Sequence, residues 1–102
     1  MISDNPETVR KFLAATTKGY EEAMKDPGAS ADAILKNAPE SDEALLKASA
    51  EYLKDRYVDK GRKWGTQDAA IWTGFQAFLV ESKLVDKEID VSKAYTNEFL
   101  PK

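Results

Sequence analysis

The side chains able to do chemistry in this sequence are carboxylates, lysines, tyrosines and two tryptophans, because it contains neither histidine nor cysteine. Those absences exclude serine–histidine and cysteine–histidine nucleophiles, thiolate or imidazole zinc sites and any disulfide framework. A carboxylate-based hydrolase would need two acids converging on one bond. Glu21, Glu22, Glu51 and Asp55 instead fall at spacings that read as solvent faces of helices. The chain is therefore read as non-catalytic, with no metal and no cofactor. The stretch "DKEID" spaces Asp86, Glu88 and Asp90 like the first ligands of a calcium loop, but Val91 stands where glycine is required and Asn97 where the bidentate glutamate belongs. The stretch "GRKWG" has two glycines but lacks the GK[ST] ending of a phosphate-cradling loop. Trp64 and Trp72 remain as surfaces on which a planar ligand could stack. Trp72 sits on an apolar helical stripe and reads as core, whereas Trp64, at a loop end, is open to either role.

Charge and hydropathy narrow the partners. The net charge of −3 argues against a nucleic-acid backbone, whose recognition needs clustered cations. The one basic cluster, Lys60, Arg62 and Lys63, reads as a solvated loop. Apolar runs fall far short of the ~20 residues a membrane helix needs, so no membrane span is expected. The opening "MISDNPETVR" has neither a basic region nor an apolar one of the kind that marks a signal peptide, so the sequence as it stands would be cytoplasmic.

The elements that must position these groups are helices. Val9, Phe12, Leu13, Thr16, Tyr20, Ala23 and Met24 recur in steps of three and four, with Pro6 suited to a first turn and Ser3, Asp4 or Asn5 as cap. A shorter helix follows in "DPGASADAILKNAP", with Ala31, Ile34 and Leu35 inward and Pro39 as its stop. Ser41 is the expected cap of a third, which carries Leu45, Ala48, Ser49, Tyr52 and Leu53 on one side. After the loop "DKGRKWG", Thr66 is the expected cap of a fourth, whose stripe of Ile71, Trp72, Phe75, Phe78 and Leu79 is the most apolar in the chain. Asp90 can cap one further turn in "VSKAY". No stretch alternates long enough to read as a strand. The expectation is an all-α bundle of four longer helices plus a terminal helical turn, one helical domain over residues 1–102, with Phe12, Tyr20, Tyr52, Phe75 and Phe78 in its core.

The same residues carry a resemblance. "NPETVRKFLAATTKGYEEAMKDPGASADAILKNAPESDEALLKAS", the Trp64-Gly65 step with Trp72, and the closing Asp90-Val91 with "YTNEFLP" resemble the C-terminal third of solute-binding proteins of ABC importers, in the thiamine-pyrimidine-precursor branch related to nitrate, sulfonate and taurine binders. The resemblance implies two α/β lobes closing over a ligand, with this segment as helices that cover the first lobe, and it implies the missing lobes and an ABC permease as partners in an extracytoplasmic setting. The sheets of both lobes and most ligand contacts of that family have no counterpart here, and only Trp64 is carried forward as a candidate ligand contact. The fungal relatives that synthesise the pyrimidine depend on a histidine, which is absent. On this reading Tyr95, Phe99 and Leu100 of the tail would lose their cover and favour a homo-oligomer. The alternative is a freestanding helical interaction module that binds itself or a partner through its apolar face.

Overall fold

The structure is a computed structural model that describes residues 1–102. It is all-α: helix α1 spans Pro6–Lys25, α2 Pro27–Asn37, α3 Glu43–Leu53 and α4 Ala69–Glu81, with a 3-10 turn at Val91–Lys93. The four longer helices and the terminal turn are those the periodicity predicts. The residues group into two units, Met1–Gly65 with Leu100–Lys102, and Thr66–Phe99.

In the first unit α2 packs against both α1 and α3. A single residue, Asp26, makes the corner between α1 and α2. Its backbone N–H closes α1 on the Glu22 carbonyl at 2.9 Å, and its carboxylate accepts from the Ala29 N–H at 2.9 Å to open α2. Pro27 then fills the first position of α2, where a missing N–H costs nothing. Helix α3 is capped by Asp42, which accepts from the Leu45 N–H at 2.8 Å, and not by Ser41. Ser41 is drawn into the turn after α2 by its own N–H, which donates to the Ala38 carbonyl at 3.1 Å. An aspartate there also places negative charge at the positive end of the helix dipole. At the other end of α3, Arg56 donates to the Tyr52 carbonyl at 2.6 Å and lies 3.8 Å over the Tyr52 ring.

In the second unit α4 begins later than expected. Asp68, not Thr66, is its cap and accepts from the Ala70 N–H at 2.8 Å. The cause is Asn97, thirty positions on: its side chain accepts from the Gln67 N–H at 2.8 Å and donates to the Gln67 carbonyl at 2.9 Å. With its backbone held in that pair, Gln67 stays outside the helix. Helix α4 ends with the Leu84 N–H on the Leu79 carbonyl at 2.9 Å and the Lys83 N–H on the Val80 carbonyl at 3.0 Å. This is the paired closure that normally places glycine in the left-handed position. Here that position is Lys83, at φ 57°. Lys83→Gly should therefore raise stability by about 1 kcal/mol, since a left-handed residue with a Cβ costs about 1 to 2 kcal/mol and the unfolded-state entropy of glycine takes back part of the gain. Lys83→Ala, which keeps the Cβ, should leave the urea midpoint nearly unchanged.

The expected core is where the structure departs most from the sequence pattern. The buried hydrophobic residues are Ala31 and Phe99. Phe12 is 68% exposed, Tyr52 61%, and Phe75 and Phe78 55% each; Tyr20 is half-buried. The stripes exist, but short helices divided between two units offer too little facing surface to cover them. The tail is corrected in the opposite sense. Phe99 is buried and Leu100 half-buried, so the exposed apolar side chains lie not there but on the helices, at Met1 and Ile2, and at Leu84, Val85 and Ile89.

Candidate functional site

Two aromatic constructions hold the residues that sequence reasoning singles out, one in each unit. In the first, Gly61 and Gly65 adopt φ of 84° and 82°, a backbone that lets the "GRKWG" loop fold back. Trp64 then stacks on Tyr20 of α1 with centroids 4.4 Å apart and planes 21° from parallel. Tyr57 meets Tyr20 edge-on at 5.0 Å and 76°. Such pairs contribute about 0.5 to 1.5 kcal/mol each beyond the area they bury, so the cluster fastens the loop to α1. One face of the Trp64 indole is committed to this stack. Of the neighbouring cations, Arg62 lies 3.6 Å from Asp59. Lys60 and Lys63 are exposed, as a solvated loop predicts.

In the second unit the wall of a groove is Trp72, Phe75, Gln76 and Leu79, one side of α4. The facing side comes from the segment after the helix, through Val85, Lys87, Ile89 and Val91. The space between them is about 150 Å³. Trp72, read as core from the sequence, is only half-buried, and it is fixed by polar as well as apolar contacts. Its indole N–H donates to the Gln67 side chain at 3.0 Å, and its ring stacks on Tyr95 with centroids 5.8 Å apart and planes 10° from parallel. Gln76 ties the facing segment to the helix by accepting from the Ile89 N–H at 2.7 Å.

The remaining acids do not converge. No group of three or more carboxylates is placed to hold a metal ion. Asp90 of "DKEID" caps the 3-10 turn, accepting from the Ser92 hydroxyl at 2.6 Å and the Ser92 N–H at 3.1 Å. Those two bonds hold its carboxyl below the ordinary carboxylate value. Lys47 pairs with Glu43 one turn back in α3 at 2.7 Å and joins α3 to α2 through Asp32 at 3.5 Å. The Glu43 hydrogen bond, followed by its charge and that of Asp32, raises the lysine above its ordinary value. Both groups are exposed, and each serves a helix end or a helix pair.

Sequence reasoning missed Gln67, Gln76, Lys87 and Asn97. Gln76 had a local signal, an amide in the middle of the otherwise apolar "GFQAFLV". The Gln67–Asn97 pair had none, since its partners are thirty residues apart.

The NMT1/THI5 like family model matches residues 1–30. Over 99% of its length the chain is also similar to the riboflavin-binding protein RibY of Chloroflexus aurantiacus, at 29% identity. The chain spans 30% of the length of that relative. The stretch Pro6 to Ala15 lies within both matches, and the tail within the second alone. No helix is long and apolar enough to cross a membrane.

Proposed function

We propose that this chain, which resembles a segment of a solute-binding protein of the NMT1/THI5 like family, is the helical cover of a small-molecule-binding protein that serves an ABC importer outside the cytoplasm, without catalysis. The observation that carries this reading is the outward face of α4. Ile71, Phe75 and Phe78 lie together on it at 55 to 60% exposure, in a helix whose sole charged residue is Glu81. A helix that is apolar nearly all round belongs in an interior. The mid-helix Gly74, with nothing within 4 Å of where a Cβ would stand, leaves room for another backbone to approach. The occupant on this reading is an α/β lobe of the same protein, and an ABC permease is the further partner. The ligand is a planar nitrogen heterocycle. A thiamine-type pyrimidine precursor follows from the resemblance, and the riboflavin named for the relative is of the same broad class. Trp64 is the residue of this chain proposed to meet it, through the indole face that Tyr20 leaves open.

A freestanding module that self-associates uses the same exposed faces, so light scattering must separate the two. The chain is mixed with the lobes of the relative expressed without the matching segment. The covering role predicts a one-to-one complex, lost in the Phe75→Asp, Phe78→Asp double variant. A homo-oligomer that persists in the presence of the lobes, with no mixed species, favours the module and removes the covering role.

A further inference from the structure

The groove between α4 and residues 85–91 shares Phe75 with the exposed face of the helix, but its other helix residues, Trp72, Gln76 and Leu79, lie round on the neighbouring side. Trp72, Phe75, Leu79, Val85 and Ile89 make it apolar. Its volume of about 150 Å³ is that of a cavity that takes one benzene ring when lined by such side chains. Two polar groups stand among the lining residues, and each has an uncommitted donor. The Gln76 oxygen is occupied by the Ile89 N–H, which leaves its amide nitrogen without a partner. Lys87 has no ion-pair partner. Apolar walls with an ammonium and an amide N–H match a ligand that is flat, about one ring in size and anionic at one end.

We propose that this groove is a binding site for a single-ring aromatic carboxylate, with the ring against Trp72, Phe75 and Leu79 and the carboxylate accepting from Gln76 Nε2 and Lys87 Nζ. Neutral rings lose the charge contact, and cationic rings meet a like charge at Lys87.

The test is a titration of the whole chain, labelled for NMR, with benzoate, toluene and benzylamine. The Gln76 side-chain amide and the Trp72 indole N–H are the reporters. Benzoate should shift both signals saturably with a dissociation constant of about 1 mM, the range expected of so small a ligand. Benzylamine should bind at least about five-fold more weakly. Lys87→Met should weaken benzoate by up to about five-fold, the upper end for an exposed ion pair, and leave toluene unchanged. Equal affinities for benzoate and benzylamine, no effect of Lys87→Met, or no saturation at these signals would overturn the proposal. So would shifts of the same two signals with protein concentration alone, because the groove would then be occupied by another copy. These outcomes are read on the chain alone and through Lys87, which lies off the Ile71–Phe78 face, so they do not decide whether a lobe covers that face.

Discussion

Gly65→Val should unfold a large part of the first unit at denaturant concentrations the parent chain tolerates. Gly65 has φ 82°, a backbone that costs an L-residue about 1 to 2 kcal/mol and a β-branched one the most. A Cβ built there would also stand 3.0 Å from Leu100 Cδ2, and forcing extra carbon into such a contact costs about 1 to 3 kcal/mol more. Against the roughly 5 to 15 kcal/mol that holds a domain together, the sum is a large share. Trp64 precedes this glycine and stacks on Tyr20, so its emission should report the change together with the urea midpoint. Gly74→Ala is the contrast. Its space is open and its backbone helical, and it should stabilise the chain by about 0.5 to 1 kcal/mol. A Gly65→Val chain with the parental midpoint and Trp64 emission would show that the loop does not depend on the left-handed backbone.

The elements of this fold were legible because they are local. Steps of three and four from Val9 to Met24 set α1, and Pro27 after Asp26 marks a helix start that needs no distant contact. The caps were legible in type but not always in position. Ser41 and Thr66 are as good capping residues as Asp42 and Asp68; the choice was made by the turn after α2 and by Asn97, and only the first of these is near in sequence. The core was not legible, for a different reason. An apolar stripe reads the same whether it will face its own chain or another, so Phe12, Tyr52, Phe75 and Phe78 looked like core and are exposed. Of the two tryptophans, Trp64 was open to a ligand role and proves to be half taken up by Tyr20. The groove beside Trp72 depends on the path of residues 83–91, which the left-handed Lys83 sets and no periodicity encodes.

The second large effect concerns affinity. Tight capture of a small molecule comes from burying 70 to 90% of its surface, roughly, between walls that close on it. One face of Trp64 is taken by Tyr20, so this chain supplies at most one aromatic wall to a planar ligand. The contacts left to a pyrimidine or an isoalloxazine fall short of the cost of immobilising it. Calorimetry with hydroxymethylpyrimidine and with riboflavin, on this chain alone and on a hybrid in which it replaces the matching segment of the riboflavin-binding relative, tests the covering role most directly. The account predicts a dissociation constant above about 1 mM for the chain alone, equivalent to no more than about −4 kcal/mol, and micromolar binding of one of the two heterocycles by the hybrid. Saturable micromolar binding to the isolated chain, abolished by Trp64→Ala, would contradict it, because the "GRKWG" loop would then be a ligand site in its own right and not part of a cover.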